Sequence, residues 1–386
     1  MRFNKNGYFM SDTGKLCIIA VSAAMYRMSI FKCIDSNFNC DWYIGVLNND
    51  IATFDTSILN NVSSFRYGYI SPKLYWKKGI LSLLFSKRYD TFILCAESRS
   101  ISDYLFVGLK KLFCPRKKII LWTHGWYGKE GIIEKKIKLW LFKRANAMLL
   151  YGNYAKELLV MEGVSSSKLF VIGNSLNYAK QLKLRELCET TNIYERYFNN
   201  TNPTIIFVGR LTRVKRLDIL LNAVNILKKL EFKVNVVIVG EGEERRSLEM
   251  LVNSLDINQQ VWFYGACYDE AINAELIYNA DVCVAPGNIG LTAVHSMMFG
   301  CPAITHDDYK WQMPEFEAIK LGITGAFFER NNVNSLADTI RSWLINNKDE
   351  RQRRREACYI EIDNHWNPDY QINIINRAIN YTKQNA

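Results

Sequence analysis

The most informative segment of the chain reads Pro286-Gly-Asn-Ile-Gly-Leu-Thr-Ala-Val-His-Ser-Met-Met-Phe-Gly-Cys-Pro302. The apolar run before it, residues 281–285, contains β-branched valines and predicts a buried strand. Pro286 and Gly287 end that strand, and apolar residues recur at helical spacing over residues 291–299. A helix start carries unpaired N–H groups and a partial positive charge. We therefore expect this strand, turn and helix to bind a phosphate group.

A second strand and loop predict the same ligand. The apolar run Thr204–Val208 ends at Gly209. Arg210 and Lys215 follow on the loop before an amphipathic helix that starts at Leu217. Ligands of doubly wound sheets bind beyond the carboxyl ends of the strands. A planar guanidinium together with a lysine ammonium suits a diphosphate, so we expect both side chains to contact one.

These motifs resemble those of the retaining glycosyltransferases with the GT-B fold, in the large family 4 group. The resemblance rests on Gly209-Arg-Leu followed by Lys215, on Val236-Val-Ile-Val-Gly-Glu-Gly242, on Gly290-Leu291 and on Gly300-Cys-Pro302. It implies an α/β protein with two Rossmann-like doubly wound domains that face a central cleft, and a C-terminal helix that crosses back to the first domain. It also implies a nucleotide sugar, UDP- or GDP-linked, as the donor substrate, with no separate cofactor.

The alternation of strand-like and helix-like segments predicts parallel sheets in both halves of the chain. In the first half we expect strands at 16–21, 42–47, 91–95, 118–122, 147–151 and 169–172, and helices at 74–85, 101–113, 132–144 and 154–162. In the second half we expect strands at 204–208, 234–239, 261–264, 281–285 and 303–305. The predicted domains are an N-terminal acceptor-side domain at 1–180, a linker at 181–202, a C-terminal nucleotide-sugar-binding domain at 203–365 and a crossover helix at 366–386.

The resemblance assigns roles to individual residues. Arg210 and Lys215 match the pair that grips the donor diphosphate and neutralises the leaving group. His124, just past the predicted strand 118–122, is similar to a first-domain histidine that contacts the donor sugar. Glycine at a phosphate site permits close approach of the backbone. The residues expected to bind the donor in this way, through backbone groups, are Gly209, Gly287, Gly290, Leu291 and Thr292. Weaker candidates on the acceptor side are Glu97 and Tyr127.

The sequence departs from the family motif at two positions. The motif has two glutamates eight positions apart, one near the donor sugar and one on the nucleotide ribose, whereas this chain has Gly287 and His295 there. An imidazole at position 295 can hydrogen-bond a ribose hydroxyl, and a histidine satisfied by packing is the alternative. Glu315 or Glu317 could replace the missing sugar-side carboxylate. A helix start at Pro314 would also explain Glu315, because an acidic residue is favourable there.

The net charge is distributed unevenly along the chain. The formal charge is +11, and residues 1–180 hold 26 Lys and Arg against 12 Asp and Glu, so the whole surplus lies in the first half. Basic residues are concentrated on the predicted helix 132–144, which also carries Ile133, Ile137, Trp140 and Leu141. Such a helix suits an anionic membrane surface, where each basic side chain adds about 1 kcal/mol. The alternative is a solvated basic face above an apolar stripe that packs into the core.

Composition limits the other classes of site and partner. The ten cysteines form no C-x-x-C pair, which argues against a zinc site and a disulfide framework, and the chain has no D-x-D triplet. No nucleic-acid motif accompanies the basic charge, so we expect no nucleic-acid partner. The uncharged apolar run near the start is too short to span a bilayer. We expect a cytoplasmic protein that is peripheral at the inner face of the plasma membrane if it binds a membrane.

The predicted function is transfer of a sugar from a nucleoside diphosphate sugar to an acceptor hydroxyl, with retention at the anomeric carbon and without a metal ion. The expected acceptor is a lipid-linked glycan in capsule, O-antigen or other surface polysaccharide synthesis, and a soluble small acceptor is the alternative. A non-catalytic GT-B subunit that binds nucleotide or a partner transferase is favoured by the two missing glutamates. A nucleotide-sugar epimerase would share the sheets, although Arg210 and Lys215 argue against it.

Overall fold

The chain divides into two compact units, each built on its own sheet. The computed structural model describes residues 2–3, 9–10, 15–46, 52–72, 74–345 and 347–385. The first unit comprises Met1–Ser175 and Pro368–Ala386, and the second comprises Leu176–Asn367. None of the helices within these described ranges is long and apolar enough to cross a membrane.

The first unit contains an eight-stranded sheet that is parallel except at one edge. Its strands are β3 (Leu16–Ala20), β4 (Cys40–Val46), β5 (Val62–Ser71), β6 (Leu74–Lys77), β7 (Thr91–Cys95), β8 (Lys118–Thr123), β9 (Ala147–Leu150) and β10 (Leu169–Val171), while β1 (Arg2–Phe3) and β2 (Phe9–Met10) form a separate antiparallel pair. The order across the sheet is β10-β9-β8-β7-β3-β4-β5-β6. The β5–β6 pair is antiparallel. Every residue of β3, β7 and β9 is buried, as is typical of parallel strands covered on both faces.

Helices cover this sheet, and the last of them comes from the end of the chain. They are α1 (Met28–Asn37), α2 (Ile80–Leu83), α3 (Ile101–Phe113), α4 (Ile132–Arg144), α5 (Asn153–Met161) and α14 (Pro368–Gln384). The buried face of α14 includes Ile375 and Ala378, which belong to the same apolar cluster as Ile18 and Trp42. The C-terminal helix is therefore part of the core of the first unit.

Most of the elements predicted for the first half are confirmed. The strands at 91–95, 118–122, 147–151 and 169–172 and the helices at 101–113, 132–144 and 154–162 form within one residue of the predicted bounds. Residue 47, at the end of the predicted strand 42–47, lies outside the described residues. Strand β5 and helix α1 were not predicted.

The prediction of a helix over residues 74–85 is wrong. The segment forms β6, which pairs antiparallel with β5, and then the short helix α2. The aromatic rings of Tyr69 and Tyr75 face each other across this pair at 6.3 Å, and aromatic cross-strand pairs stabilise sheets. Lys77 ends β6 and is buried in an ion pair with Asp103, with Nζ 2.9 Å from Oδ2. A partner 26 residues away in the chain thus fixes a strand where apolar spacing indicated a helix.

The second unit contains a six-stranded sheet in which all neighbours are parallel. Its strands are β11 (Thr204–Val208), β12 (Asn235–Val239), β13 (Val261–Gly265), β14 (Val282–Val284), β15 (Ala303–His306) and β16 (Gly325–Phe328). The order is β13-β12-β11-β14-β15-β16. The five predicted strands are confirmed and β16 was not predicted. Since β11 and β14 are parallel neighbours, the loops after them lie side by side at the carboxyl edge.

The first helix of the second unit starts before the segment assigned to a linker, and the first two helices cover much of that segment. The helices of this unit are α6 (Tyr178–Glu186), α7 (Ile193–Phe198), α8 (Leu217–Lys229), α9 (Arg245–Ser254), α10 (Glu270–Asn279), α11 (Leu291–Met298), α12 (Val333–Ile345) and α13 (Asn347–His365). Leu217, Leu220 and Leu227 on the predicted apolar face of α8 are buried. This burial fixes α8 against the sheet and so fixes the loop that carries Arg210 and Lys215.

Candidate functional site

Gly287 lies where the turn after β14 meets the short 3₁₀ helix Arg213–Lys215. Its N–H donates to the carbonyl oxygen of Lys215 at 2.9 Å. A Cβ atom on Gly287 would lie 1.9 Å from the carbonyl oxygen of Val214, so the two backbones touch at this point. A residue without a side chain is needed for such close approach. The contact gives a physical reason why the glutamate of the family motif is absent at position 287.

Lys215 is held by the turn that follows β14. Its Nζ donates to the carbonyl oxygen and to Oδ1 of Asn288, at 2.7 and 3.0 Å. Burial lowers the pKa of Lys215 to about 8, with Glu315 acting to raise it and Arg210 to lower it further. The turn therefore holds the ammonium through neutral oxygen atoms, which an anionic ligand can replace.

Arg210 is exposed and lies near enough to Lys215 for its charge to act on that ammonium. Within the part of the chain that the structure describes, the Arg210 side chain makes no hydrogen bond or ion pair. Gly209, which precedes Arg210, is in backbone contact with Gly240. A Cβ atom on Gly240 would lie 1.9 Å from the carbonyl oxygen of Gly209. Arg210 is thus a cation on a tightly packed strand end, with its guanidinium open to a ligand.

The start of helix α11 faces the same loop. Gly290 precedes the helix with φ of 56° and ψ of −148°, a conformation that favours glycine. The Thr292 hydroxyl donates to the carbonyl oxygen of Val208 at 3.0 Å, which ties the first turn of α11 to the end of β11. The first N–H groups of a helix have no intrahelical acceptors. Leu291 and Thr292 therefore present N–H groups at the edge where Arg210 and Lys215 lie.

Gln312 is a buried residue that holds this turn in place, and no sequence motif indicates this role. It is 3% exposed, and its Oε1 accepts from the N–H of Ile289 at 3.0 Å. Its Nε2 donates to the Thr305 hydroxyl at 2.8 Å and to the carbonyl oxygen of His306 at 3.1 Å. The Thr305 hydroxyl in turn lies within donating distance of the carbonyl oxygens of Ala285, at 2.8 Å, and Gly287, at 3.1 Å. The buried amide of Gln312 thus fixes the shape of the turn. The first N–H groups of α11 are not needed for this purpose.

His295 lies on the second turn of α11 and is paired with a carboxylate. Its Nε2 is 2.9 Å from Oε1 of Glu270, the first residue of α10, and the same oxygen accepts from Nε2 of Gln181 at 2.7 Å. Burial acts to raise the pKa of Glu270, but the hydrogen bond from His295 outweighs it together with Gln181 and Lys180, and the pKa is lowered. Position 295 thus has a histidine instead of the motif's glutamate, and this histidine is hydrogen-bonded to the carboxylate of Glu270.

Glu315 and Glu317 lie on the 3₁₀ helix Pro314–Ala318, which confirms the predicted helical turn after Pro314. Glu315 is 2% exposed and acts electrostatically on Lys215, whose pKa it raises. Glu317 is partly buried, and its backbone carbonyl accepts from Nζ of Lys320 at 2.8 Å. Glu315 is thus the acidic residue of this turn whose charge reaches the cation pair.

In the first unit, His124 follows β8 at the carboxyl edge of the sheet. Its ring lies 4.6 Å from the ring of Tyr151. Burial and the charge of Arg27 lower the pKa of His124 to about 4, so the imidazole is neutral at pH 7. His124 and Tyr127 line a cavity of about 210 Å³ together with Glu97.

Glu97 enters this cavity from the end of β7. Burial and the neighbouring charge of Asp103 raise the pKa of Glu97. The hydroxyl of Tyr75 donates to its Oε2, and its own N–H donates to Oδ2 of Asp103 at 3.2 Å. Within the described ranges, no cluster of three or more His, Cys, Asp or Glu could hold a metal ion.

Comparison with known proteins agrees with this description. Residues 189–359, within the second unit, match the family model of glycosyl transferases group 1. Two solved structures superpose over almost the whole chain at 15% identity. Anabaena Alr3699/HepE in complex with UDP matches with a TM-score of 0.69 over 94% of this chain and 98% of its own. The apo form of the lipopolysaccharide outer core galactosyltransferase WaaB matches with a TM-score of 0.69 over 95% and 99%.

The chain has the GT-B fold. The expected fold class is confirmed, with two α/β units built on parallel sheets. A Klebsiella pneumoniae protein described as "Uncharacterized 41.2 kDa protein in cps region" is 25% identical over 244 residues. That alignment covers 62% of this GT-B chain and 62% of the relative, so it spans about three fifths of either protein.

The site residues of this GT-B protein fall into two groups. The second unit brings together Arg210, Lys215, the turn from Gly287 to Thr292 and Glu315, and it places His295 on the same helix. The first unit places His124 beside Glu97 and Tyr127. Sequence reasoning missed Gln312 and Glu270, because their contacts with the site join residues 23 and 25 positions apart.

Proposed function

We propose that this protein is a retaining, metal-independent glycosyltransferase of the family 4 type that moves a sugar from a UDP- or GDP-linked donor to an acceptor hydroxyl. One observation carries the proposal: Arg210, Lys215 and the N-terminus of α11 lie at the adjoining carboxyl ends of two parallel strands. Cations and N–H dipoles together suit a diphosphate. The match of residues 189–359 to glycosyl transferases group 1 supports the same chemistry.

In the proposed reaction the bond between the anomeric carbon and the diphosphate breaks first. Negative charge then develops on the leaving phosphate, and preorganised positive groups are the strongest means of stabilising it. Arg210 and Lys215 supply two such charges and the first N–H groups of α11 supply dipoles. The acceptor oxygen bonds to the anomeric carbon on the face that the phosphate has just left, while a departing phosphate oxygen takes the hydroxyl proton, which gives retention without a protein base. The two side-chain charges take the part that a metal ion plays elsewhere.

The nucleoside would lie against His295. Because Glu270 accepts a hydrogen bond from Nε2 of His295, the neutral ring has its lone pair on Nδ1. That nitrogen can accept a hydrogen bond from a ribose hydroxyl. The pair of His295 and Glu270 would then replace the ribose-binding glutamate of the family motif, with the histidine as the contact and the glutamate as its support.

The candidate contacts for the donor sugar are His124 in the first unit and, in the second, Glu315 and Glu317 on the acidic turn. His124 is neutral at pH 7, so one of its ring nitrogens can accept a hydrogen bond from a sugar hydroxyl. Glu315 is the better candidate of the two glutamates for the lost sugar-side carboxylate, because its charge already acts on Lys215. A ligand atom would have to displace the packing that keeps Glu315 buried.

The acceptor is proposed to be a lipid-linked glycan, reached from an anionic membrane surface. Helix α4 supports this proposal, since Ile132, Ile133 and Ile137 are 77%, 76% and 48% exposed. Trp140 is 38% exposed, and the guanidinium of Arg144 lies 4.2 Å from its ring centre. Leu141 of the predicted apolar residues packs in the core, whereas Ile133, Ile137 and Trp140 are open to solvent. Exposed apolar groups beside basic ones favour a membrane interface. The capsule-region relative supports a role in surface polysaccharide synthesis.

A non-catalytic GT-B subunit is the second candidate, and Gly287 and His295 in place of two glutamates favour it. Calorimetric titration with UDP, GDP, ADP and CMP is the first experiment. One nucleoside diphosphate should bind, and at a hundredfold excess over Kd it should stabilise the protein by about 2.7 kcal/mol. If none of the four binds, the proposed donor site is wrong.

Turnover of the matching nucleotide sugars separates the two candidates. Slow release of free sugar in the absence of acceptor supports a live enzyme. For a retaining, metal-independent enzyme, the NMR spectrum should show that the first sugar released has the anomeric configuration of the donor, and EDTA should not lower the rate. Nucleotide binding without hydrolysis or transfer for every donor sugar would favour the non-catalytic subunit. Inversion of the anomer, or loss of activity in EDTA, would overturn the mechanism.

A further inference from the structure

Arg27 lies at the carboxyl edge of the first sheet, and no motif drew attention to it. It ends the 3₁₀ helix Met25–Arg27, in the connection between β3 and α1. Its Nη1 lies 3.8 Å from Sγ of Cys95, the last residue of β7, and its Nη2 donates to the hydroxyl of Tyr151, just past β9. Since β9, β8, β7 and β3 are neighbours in this order, the guanidinium reaches across the ends of several strands.

The charge of Arg27 is surrounded by aromatic rings instead of carboxylates. Its Cζ lies 5.2 Å from the ring centre of Trp122, 5.9 Å from that of Tyr151 and 6.0 Å from that of Tyr26. Within the described part of the chain it forms no ion pair. A guanidinium has five N–H donors, so several are left for another partner. Partly buried charges are normally paired, and an arginine held on aromatic faces with donors to spare is typical of an anion site.

His124 stands next to this guanidinium. Both side chains contact Tyr151, Arg27 through the hydroxyl and His124 through the ring at 4.6 Å. Nδ1 of His124 is buried and has no hydrogen-bond partner within the described residues. The carboxylate of Glu97 accepts from the hydroxyl of Tyr75 and forms no ion pair with Arg27 within the described residues, although the charge of Arg27 acts to lower the pKa of Glu97. Arg27 and His124 are therefore two polar groups at one sheet edge, each with hydrogen-bonding capacity that the described residues do not fully use.

We propose that Arg27 and His124 form an anion subsite that binds a phosphate group carried by the acceptor. The inference rests on the proposed function, because it assigns the first unit the recognition of an acceptor. Phosphate oxygens suit the planar N–H fork of an arginine, and a neutral histidine can donate one further hydrogen bond. A phosphate borne by a lipid and one borne by a soluble sugar offer the same group to this subsite.

The test uses the imidazole signals of the full-length protein, which has four histidines. Inorganic phosphate, geranyl monophosphate and glucose 1-phosphate are titrated separately while proton and nitrogen resonances of the rings are recorded. Binding of the anion should move the His124 signals and raise the pKa of His124 from about 4, because a negative charge favours the imidazolium. A response to geranyl monophosphate alone would identify a lipid phosphate, and a response to glucose 1-phosphate alone a soluble one.

Variants show whether Arg27 is responsible. Arg27→Gln should weaken binding of the responding probe by about 10- to 150-fold, as expected for loss of a charge-assisted hydrogen bond. Arg116→Gln is the matched control, since Arg116 is exposed near the start of β8, at the opposite edge of the same sheet. Tyr151→Phe keeps the ring and removes the hydroxyl that holds Nη2, so it should weaken binding even if Arg27→Gln does not fold.

The inference is overturned if no probe moves His124, or if the probes bind Arg27→Gln and Tyr151→Phe as well as the parent. UDP added to the same samples tests the donor site separately through the signals of His295. If UDP moves His295 and the phosphate probes leave His124 unchanged, the anion subsite is wrong and the proposed function stands. If the phosphate probes move His124 and UDP moves nothing, the subsite stands and the proposed function is wrong.

Discussion

The depressed pKa of Lys215 leads to a quantitative prediction about nucleotide binding. Burial brings this pKa to about 8, so the protonated fraction falls from about nine tenths at pH 7 to about one tenth at pH 9. If UDP binds the protonated form, the apparent Kd is the intrinsic Kd divided by that fraction, and binding weakens about 10-fold between pH 7 and 9. The terminal phosphate of UDP is already largely ionised at pH 7 and contributes little to this change.

Calorimetry in pairs of buffers with different ionisation enthalpies measures both the apparent Kd and the uptake of protons when UDP binds. The apparent Kd should rise about 10-fold over this range, and near pH 8.5 UDP binding should be accompanied by uptake of protons, because the diphosphate restores the charge of Lys215. Lys215→Arg is the control, since a guanidinium stays protonated throughout. A flat Kd in the parent protein, or the same slope in Lys215→Arg, would refute the assignment of Lys215 to the diphosphate.

The unligated protein should respond to pH with the opposite sign. The folded-state pKa of Lys215 lies below that of an unfolded lysine, so between about pH 8 and 10 the unfolded chain binds more protons at this residue. The contribution of Lys215 to the free energy of unfolding therefore rises with pH in that window. It is measured as the difference in denaturant stability between the parent and Lys215→Arg at the two ends of the window.

Three further predictions concern the diphosphate, the glycine turn and the membrane. Arg210→Gln should weaken UDP binding about 10- to 150-fold in calorimetry, whereas Arg213→Gln, exposed on the same loop, should leave it unchanged; equal losses would mean that only the total charge matters. Gly287→Ala should lower the free energy of unfolding by about 1–3 kcal/mol in denaturant titrations, because its Cβ would overlap the backbone of Val214. Gly131→Ala, whose Cβ would meet no atom within 4 Å, is the control, and equal stability of the two variants contradicts the packing argument. Flotation with liposomes that contain anionic lipid should weaken as salt rises and in Ile133→Ser, while Met250→Ser, a 63% exposed residue of the second unit, should bind as the parent does. If neither salt nor Ile133→Ser alters liposome binding, helix α4 is not the membrane contact.

The sequence predicted much of the fold because strong local signals and tertiary packing agree in most elements. Helices α3 and α4 form at the predicted bounds, and the apolar run Thr204–Val208 is β11. The same reasoning failed over residues 74–85, where the competing signal was non-local. Lys77 is fixed by Asp103, and β6 needs β5 beside it.

Within the candidate site, position along the chain was easier to predict than contact. Arg210 and Lys215 could be placed after a strand end from spacing alone, since parallel strands present their carboxyl ends on one edge. The support of Lys215 by Asn288 spans 73 positions, and no local pattern indicates it. For His295 the sequence indicated a ribose contact or a histidine satisfied by packing, and it gave no sign of the hydrogen bond with Glu270, which lies 25 positions away.

The resemblance to known glycosyltransferases implied the two-unit GT-B plan. From the sequence by itself we could predict most of the strands and helices and the positions of the cations and glycines that suit a diphosphate. These features follow from periodicity, turn residues and motif spacing, which are properties of neighbouring residues. Only the tertiary structure decided that Gly287 must lack a side chain, that Gln312 braces the turn and that Arg27 stands beside His124 without a carboxylate partner in the described chain. The physical reason is that burial, backbone approach and charge pairing depend on which distant segments the fold brings into contact.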